Sequence, residues 1–540
     1  MDGAEFLRRK VRLLSLITAL AVILCLCGCR REKEGPEDQI IYYRIDSEPV
    51  TLDPQIANDS AARLIIMNIF EGLVRLDKND DIIPGAAQSW DISTDKMRYT
   101  FHLRDGLKWN DGTSLKAEDF VYGFQRTFVP STMSDTADTL YCIKNAEAVN
   151  KGEMAVEELG IYVTDEKTIV IQLEYPSSDF LQLLTTPPAM PCQKEFFEKT
   201  SGQYGREADK ILCNGAFYIR ENGWEHDSYL YLRNNRNYTG EKSVIPAGVN
   251  LSIEEEPADV VSAIEKGKFD CASVTSADVE RSQSLGMHLT GFGDTVWGIS
   301  FNTRDEVLGN KKIRCALLSS IEREKILKEI PSHCTVTENI IPESAELDNI
   351  SYRSIVGNIS PVYEDKTSVL LNKGMKETNC EVVTNITILC SDDEDTQSIV
   401  NNIIEKWNSL TNGYFNKKTV PLSELKDRIE SGHFEVVIAP LTIGGNTPVS
   451  TLEMFSSESR YNCARLNSEE YDKLLSGIRR NLNYGSVNQI KDAEQYLVDN
   501  GIFYPLYTEN RYYASAENVT GIIFHSFGAE ADFRLAVKQP

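Results

Sequence analysis

The stretch from Ala87 to Phe128 constrains the fold of this chain more than any other. Residues Tyr99 to Leu103 alternate apolar and polar side chains, which is the pattern of a strand with one buried face. Asp105-Gly106 then suits a hairpin turn, and Leu107 to Trp109 repeats the alternation. Acidic residues open the segment from Ala117 to Phe128, in which phenylalanines recur at helical spacing. The stretch therefore predicts two strands and an amphipathic helix, a scaffold rather than a chemical site.

The motif within this stretch is long and its spacing is specific. SW at 89–90 precedes YTFHLRDGLKWNDG at 99–112, and AEDF follows at 117–120. The pattern resembles the signature of the bacterial extracellular solute-binding proteins of the peptide/nickel family, family 5, and within it the oligopeptide-binding branch. Further segments similar to that family are EPVTLDP at 48–54, EGLV at 71–74, CNGAFY at 213–218, KIRCAL at 312–317 and YPLY at 504–507.

The resemblance implies an α/β fold of periplasmic-binding-protein-like type II (cluster C), with two lobes, a hinge, and three domains built on mixed sheets. Strand and helix patterns alternate from Ile386 to Pro440, which agrees with α/β packing on a parallel or mixed sheet. The implied boundaries are 1–29 for a lipoprotein signal peptide, 30–39 for a tether, 40–88 for the first segment of domain I, 89–210 for an inserted domain II, 211–295 for the second segment of domain I, 296–510 for domain III as the second lobe, and 511–540 for the C-terminal segment of domain I.

Local patterns predict further elements of the first lobe. Ala61 to Glu71 reads as a helix, and residues 143–160 read as a charged helical segment. Residues 161–163 and 168–173 flank a polar turn and predict a hairpin. Gly267 suits the end of a helix, because glycine tolerates the left-handed backbone of a C-cap.

The N-terminus has the pattern of an export signal. A basic segment at 8–12 precedes an apolar run from Leu13 to Leu26, which is shorter than the roughly 20 residues of a membrane-spanning helix. LCGC at 26–29 resembles a bacterial lipobox, which implies that Cys29 is lipidated and becomes the new N-terminus. The predicted location is the outer face of a Gram-positive cell membrane, with a lipid anchor. An uncleaved N-terminal anchor is the alternative.

The net charge excludes one class of ligand, and the cysteine content indicates the habitat of the protein. A formal net charge of −25 argues against nucleic-acid binding, which requires clustered Lys and Arg. Beyond the signal segment nine dispersed cysteines remain, an odd number that makes a poor disulfide framework, although a Cys380–Cys390 bridge stays open. An exported chain with many thiols indicates a reducing or anaerobic habitat.

The chain carries no sequence motif that demands catalysis. It contains no GxxxxGK[ST] phosphate loop, no HExxH zinc motif and no GxSxG nucleophile motif. Its six histidines are scattered without ligand spacing. We therefore expect neither an enzyme nor a metal site, and no cofactor.

The candidate site follows from the resemblance, which implies a peptide cleft between the lobes. Residues 58–60 align with the edge that pairs with ligand backbone in relatives, although they equally suit a helix N-cap. Trp297 is open to either of two roles, a cleft aromatic or a core residue. The candidate cleft residues are Asn58, Asp59, Ser60, Thr136, Trp297, Ile299, Leu422, Ile438, Leu441, Thr442, Ile443 and Gly444.

The sequence departs from its relatives at the charged end of this cleft. Peptide-binding relatives often carry WxxDYxxP, in which the Asp pairs with the ligand's amino group. Here Leu441 stands at the Trp and Gly444 at the Asp, and Ile438 replaces a basic residue. Because a buried charge requires a partner, this predicts a longer or blocked peptide, or a ligand whose charges are met elsewhere. A shifted alignment is the alternative explanation.

The predicted function is therefore that of a monomeric substrate-binding lipoprotein. It would capture oligopeptides and deliver them to the permease and ATPase subunits of an ABC transporter. A receptor for a peptide pheromone or a cell-wall peptide, acting in signalling without uptake, is the alternative. A surface hydrolase is a third class, which the missing nucleophile–base pattern disfavours.

Overall fold

The computed structural model describes most of the chain beyond its N-terminal segment. The described residues are 39–45, 47–177, 179–240, 244–254, 259–326, 328–330, 334–347, 350–442, 447–459, 461–480, 486–525 and 531–539. The predicted signal peptide, Cys29 and nearly all of the tether lie outside these ranges. Within them, no helix has both the length and the apolar character needed to cross a membrane.

The strands and helices alternate throughout the described chain. The strands are β1 Ile40–Ile45, β2 Val74–Leu76, β3 Ile82–Pro84, β4 Ala87–Ile92, β5 Arg98–Leu103, β6 Ile161–Asp165, β7 Thr168–Gln172, β8 Phe217–Glu225, β9 Tyr229–Asn234, β10 Gly248–Ile253, β11 Cys271–Val274, β12 His288–Phe301, β13 Thr335–Val336, β14 Glu346–Leu347, β15 Ile350–Ser351, β16 Ile386–Ser391, β17 Phe415–Val420, β18 Val436–Thr442, β19 Phe503–Ser515, β20 Val519–Thr520, β21 Ile523–Phe524, β22 Ala531–Asp532 and β23 Val537–Lys538. The α-helices are Ser60–Ile69, Ala117–Phe128, Ala146–Asn150, Phe180–Leu183, Lys194–Lys199, Val260–Glu265, Val279–Ser284, Lys311–Ser319, Arg323–Ile326, Tyr352–Val356, Thr367–Glu377, Glu394–Thr411, Leu422–Ser431, Pro448–Glu453, Glu469–Arg480 and Val487–Asp499.

One mixed sheet runs through both lobes. Its order is β17-β16-β18-β12-β19-β11-β1-β10-β9-β8, and β13 pairs with β19 off this path, so that the described residues contribute eleven strands to it. β16 lies parallel to both β17 and β18, whereas β12 is antiparallel to its neighbours β18 and β19. A separate four-stranded antiparallel sheet, β4-β5-β7-β6, belongs to the first lobe. The mixed α/β architecture confirms the predicted fold class.

β12 and β19 are the two strands that pass from one lobe to the other. Their pairing extends from His288–Ser515 at one end to Ser300–Phe503 at the other, with irregularities after Phe292 and after Trp297. Gly298 lies at the second irregularity, where an added Cβ would approach the Phe503 ring to 2.4 Å. The predicted boundaries at 295/296 and 510/511 thus fall inside continuous strands, which suits a hinge made of a long twisted pair.

The apolar cores separate the lobes. One cluster takes its residues mainly from the chain between Ile41 and Leu251 and from the C-terminal segment that begins at Tyr513, and it includes the predicted domain II. The segments predicted as domains I and II therefore share one continuous core while keeping separate sheets. In the second lobe, residues from Val296 to Tyr507 form two clusters on opposite faces of the sheet. A small further cluster packs Val260–Glu265 against β11.

The opening stretch folds largely as its pattern predicts. In β5 the alternating residues Tyr99, Phe101 and Leu103 are buried. The helix Ala117–Phe128 is confirmed, and Asp119 caps it by accepting the Lys116 backbone N–H at 2.9 Å. The predicted strand at 107–109 is wrong. Only a single bridge, Lys108–Ser114, forms there, because the turn at 110–112 returns the chain at once.

Of the other local predictions, a hairpin and a helix end are confirmed, and one long helix is wrong. The hairpin forms as β6 and β7, and Gly267 adopts φ +70° just after the helix Val260–Glu265. The continuous helical segment over 143–160 is wrong. The helix Ala146–Asn150 ends within two turns, since Gly152 takes a left-handed φ of +75° and stops it. The α/β alternation from β16 to β18 is confirmed.

The cysteines of the described chain are free thiols, including Cys380 and Cys390. Seven of the nine are buried, where they pack as small apolar side chains. Cys334 and Cys380 are partly exposed. The alternative of a Cys380–Cys390 bridge is thus not realised in this structure.

Candidate functional site

The hinge strands carry an aromatic–carboxylate pair. Trp297 on β12 lies beside Tyr507 on β19, with ring centroids 6.0 Å apart and ring planes 15° from parallel. The Trp297 indole Nε1 donates a hydrogen bond of 2.6 Å to Oε2 of Glu509. Trp297 is only 6% exposed, so its ring has a fixed orientation, while Glu509 is partly accessible.

A partly exposed thiol lies close to this pair. Burial, together with the negative charges of Glu509, Asp395 and Asp393, raises the pKa of Cys334 to about 12. Asp393 is the N-cap of the helix Glu394–Thr411, where its Oδ1 accepts the Thr396 backbone N–H at 2.7 Å. The region is therefore electronegative, with no ionised thiol at neutral pH.

This region lies where the parallel strands of the second lobe end. Asp393 follows the carboxyl end of β16, and Leu422 follows that of β17. In open α/β sheets, ligands bind in the crevice outside the carboxyl ends of the strands. The crevice at these strand ends, next to the β12–β19 crossing, is therefore the candidate site.

On the first lobe, the structure brings the predicted residues together around one helix start. Asp59 is the N-cap of Ser60–Ile69, because its Oδ1 accepts the Ala62 backbone N–H at 2.7 Å. Asn58 Nδ2 donates to Asp135 Oδ2 at 3.0 Å, which places the segment 58–60 beside the turn that contains Thr136. The N-cap alternative is thus realised by Asp59, while Asn58 and Ser60 stay exposed.

On the second lobe, the predicted side chains are mostly out of reach of a ligand. Ile299 and Ile438 pair across β12 and β18 and have no exposed surface, and Leu441 is 1% exposed. Leu422 is 42% exposed at the start of the helix Leu422–Ser431. Thr442 ends β18, whereas Ile443 and Gly444 lie outside the described residues. As cleft residues, all of these stay predictions.

The two lobes also touch directly beside the crevice. Thr447 of the second lobe donates its Oγ1 hydrogen to Asp179 Oδ2 of the first at 2.8 Å. The Arg479 guanidinium, held by Glu453 Oε1 at 2.7 Å, lies 5.9 Å from the centre of the Tyr175 ring. These contacts cross from one lobe to the other and describe a closed arrangement at this rim.

Sequence reasoning missed Glu509, Asp135, Asp179 and Thr447. Glu509 and Trp297 are 212 positions apart, and Thr447 and Asp179 are 268 apart, so no local pattern joins either pair. The one available signal for Glu509 was its place in a polar stretch that directly follows the buried residues Leu506 and Tyr507 of β19.

A metal centre is not formed by the described residues. Within the ranges that the structure covers, no three His, Cys, Asp or Glu side chains converge closely enough to hold an ion. The chemistry available at the site is therefore hydrogen bonding, aromatic contact and the negative charge of carboxylates.

Comparison with known proteins assigns the family. The model of the bacterial extracellular solute-binding proteins, family 5 Middle, matches residues 81–463. This chain belongs to that family. Family 5 consists of solute-binding proteins, which supports the expectation that the chain is not an enzyme.

Individual relatives extend this family likeness to almost the whole chain. The dipeptide-binding protein DppE of Bacillus subtilis is 26% identical over 97% of this chain and 98% of its own length. The substrate-binding domain of an oligopeptide ABC transporter from Bacillus anthracis superposes with a TM-score of 0.76 at 26% identity, over 93% of this chain and 99% of its own. The pheromone receptor PrgZ shares the fold, with a TM-score of 0.75 at 22% identity, over 93% of this chain and 100% of its own.

Proposed function

We propose that this protein captures oligopeptides in the crevice between its lobes and delivers them to the permease and ATPase subunits of an ABC transporter. The observation that carries the proposal is the likeness, along 97% of the chain, to a family member named as a dipeptide-binding protein. The fold shared with the substrate-binding domain of an oligopeptide transporter supports the same ligand class.

The geometry suits recognition of a peptide main chain rather than of particular side chains. Ile438 and Leu441 are buried and apolar, so neither side chain can pair with a charged peptide terminus. An extended peptide can still bind by hydrogen bonds between its backbone and strand or loop edges. The exposed segment 58–60 on one lobe and the end of β18 on the other offer such edges.

Closure of the lobes follows from the continuous hinge strands. β12 and β19 stay paired from one lobe to the other, so bending at their two irregularities moves each lobe as a rigid body. The contact between Thr447 and Asp179 then stabilises the closed form over a bound peptide. A permease that recognises the closed form would receive only loaded protein.

A lipid on Cys29 would anchor the protein to the outer face of the membrane. We expect the anchored protein to be a monomer. The support is the LCGC sequence at 26–29 behind a short apolar run. Cys29→Ala is expected to release the protein from the membrane fraction of expressing cells. If the variant stays membrane-bound, an uncleaved anchor replaces the lipoprotein assignment.

The proposal is tested by identifying what the protein carries. The form starting at Arg30 is purified, its bound small molecules are released by denaturation, and they are identified by mass spectrometry. A set of peptides with mixed sequences would support nutrient uptake, with main-chain recognition. Failure of every peptide, together with a melting temperature raised by a non-peptide solute, would overturn the peptide assignment.

A receptor for one peptide is the second candidate. The observation that favours it is the apolar Ile438 and Leu441, because a general binder of short zwitterionic peptides needs charges for both termini. One defined peptide in the same experiment would support this candidate. Deletion of the gene is a second test of this candidate. It should abolish a regulatory response and leave peptide uptake unchanged.

A further inference from the structure

Glu509 lies on the hinge strand β19, and only one of its two carboxylate oxygens has a hydrogen-bond partner among the described residues. Its Oε2 accepts the Trp297 indole N–H at 2.6 Å, and no other hydrogen bond or ion pair of Glu509 is formed by residues in the described ranges. The indole bond orients the carboxyl group, so Oε1 is held in a defined direction. Glu509 pairs with Thr295 at the level where β12 and β19 cross between the lobes, next to the crevice.

The neighbouring aromatic rings form a fixed support for the Glu509 carboxylate. Trp297 and Tyr507 stack with centroids 6.0 Å apart, and Trp297 is fixed by burial. Trp297 and Tyr507 are only 6% and 4% exposed, so the half-buried Glu509 carboxylate, and not a ring face, is the group that a positive ligand group can contact.

Asp393 and Asp395 are the other carboxylates near Cys334, and Asp393 is already engaged. Asp393 accepts the Thr396 N–H at its Oδ1, hydrogen-bonds Ser391 through its Oδ2, and lies at the positive end of an 18-residue helix. Glu509 has no comparable compensation, and none of the ion pairs in the described part of the chain includes it. Asp395 is exposed in the first turn of the same helix, whereas Glu509 is half-buried and oriented by Trp297, so a positive ligand group meets at Glu509 a fixed partner that is partly shielded from water.

We propose that Glu509, oriented by Trp297, binds the positively charged group of the ligand, an amino terminus or a Lys or Arg side chain. The inference rests on the proposed peptide-binding function. It also accounts for the departure at Gly444, because the charge partner is supplied by the hinge strand instead of by the segment that follows β18 in the sequence. Glu509 determines specificity, and Trp297 is its positioning residue.

The position of Glu509 on β19 links ligand binding to closure of the lobes. β19 bends when the lobes close, so a ligand bound through Glu509 contacts the element that moves. Binding of the positive group then favours one hinge geometry over the other, and this difference in affinity is what shifts a two-state equilibrium. An uncharged peptide lacks this coupling and is expected to close the protein less completely.

The test uses calorimetric titration of the Arg30–Pro540 form with a designed probe set. The probes are an alanine pentapeptide amide with a free amino terminus, its N-acetylated counterpart, an N-acetylated version with one central lysine, and lysine amide as a non-peptide cation. The wild-type protein is expected to bind the two charged peptides at least tenfold more tightly than the uncharged one. Glu509→Gln should abolish that preference, so that the ratio of the affinities for the charged and uncharged peptides falls to about one.

Two further variants separate charge from folding. Glu517→Gln removes a carboxylate that is exposed just beyond the end of β19 and should keep the preference. Trp297→Phe keeps a ring but loses the indole N–H, and should weaken the preference without abolishing it. Each variant is compared by thermal unfolding, and Glu509→Gln preserves both the size of the side chain and an acceptor for Trp297.

The outcomes distinguish this inference from the proposed function. A charge preference that survives Glu509→Gln, or equal wild-type affinity for charged and uncharged peptides, overturns the role of Glu509 and leaves peptide binding intact. Binding of lysine amide alone, lost in Glu509→Gln, supports the cation site and overturns the peptide assignment. If the wild-type protein binds neither a peptide nor lysine amide, both are overturned.

Discussion

Thr447 Oγ1 donates a 2.8 Å hydrogen bond to Asp179 Oδ2, and this bond joins the second lobe to the first. The same Thr447 oxygen accepts the Ser450 backbone N–H and so caps the helix Pro448–Glu453. One hydroxyl therefore serves both as a helix cap and as a contact across the crevice. Closure of the lobes and order at the start of this helix are linked through it.

Removing this bond from the first-lobe side should favour the open form. Asp179→Ala keeps the Thr447 cap and removes the acceptor, and a net hydrogen bond is worth about 0.5–1.5 kcal/mol. We expect peptide affinity to fall by roughly 2- to 10-fold, and the radius of gyration of the liganded protein, measured by small-angle X-ray scattering, to rise. Thr447→Ser retains the donor and should behave as wild type. Unchanged affinity and scattering in Asp179→Ala would show that this contact does not stabilise closure.

Breaking a buried ion pair of the first lobe should cost more unfolding free energy than breaking an exposed one. Arg126 Nη2 lies 2.6 Å from Asp53 Oδ2, and the two side chains are 7% and 4% exposed. Asp53→Ala leaves a buried guanidinium without its charge partner, which costs about 3–5 kcal/mol of unfolding free energy. The exposed pair Lys151–Glu147 is the control, since Glu147→Ala should cost about 1 kcal/mol or less. Similar losses in urea unfolding would refute the difference.

His226 should stabilise the fold only at low pH. Its Nδ1 lies 2.7 Å from Glu48 Oε1 and its Nε2 3.3 Å from Glu207 Oε2, and these hydrogen bonds raise the pKa of His226 above 6.5. The stabilisation is fully present below the unfolded pKa and disappears as pH rises through the folded one. His226→Phe keeps a ring beside Trp224, and its melting temperature should fall more at pH 5.5 than at pH 8.5. An equal loss at both values would mean that charge is irrelevant.

The thiols should differ sharply in reactivity. Burial raises the pKa of Cys213 and Cys463 to about 12, and other buried thiols are shifted in the same direction, so they react slowly in the native protein. Cys380 is partly exposed and should be alkylated first by iodoacetamide at pH 8, as followed by peptide mass mapping. Cys380→Ser should then remove the fastest phase. Rapid alkylation of buried thiols without denaturant would contradict the closely packed cores.

Most local elements of the fold could be predicted from the sequence, whereas the pairing of distant strands could not. β5 and the helix Ala117–Phe128 follow from periodicity, because burial of one face alone decides their form. The strand at 107–109 failed because alternation does not specify a partner, and the chain turns away after one bridge. The family motif predicted the lobes, but their boundaries fall within β12 and β19, since a hinge made of paired strands has no linker composition.

The sequence predicted individual candidate residues of the site, but it did not predict which other residues each of them contacts. Trp297 was open between core and cleft, and the structure gives it both a buried ring and a bond to a hinge carboxylate. Ile438 was expected at the cleft, yet its side chain points into a core because neighbouring residues on a strand alternate between faces. The bond between Trp297 and Glu509 joins strands that are 212 positions apart, and no local pattern in the sequence indicates it.

The central claim is that the crevice between the lobes binds peptide, and calorimetric titration tests it most directly. The Arg30–Pro540 protein, unfolded and refolded to remove bound molecules, is titrated with an equimolar mixture of tri- to nonapeptides and, as a control, with the same amino acids in free form. The account predicts saturable binding of the peptides with a negative heat-capacity change, since closure buries apolar surface, and no binding of free amino acids. Saturable binding of the amino acids alone, or of neither, would contradict it.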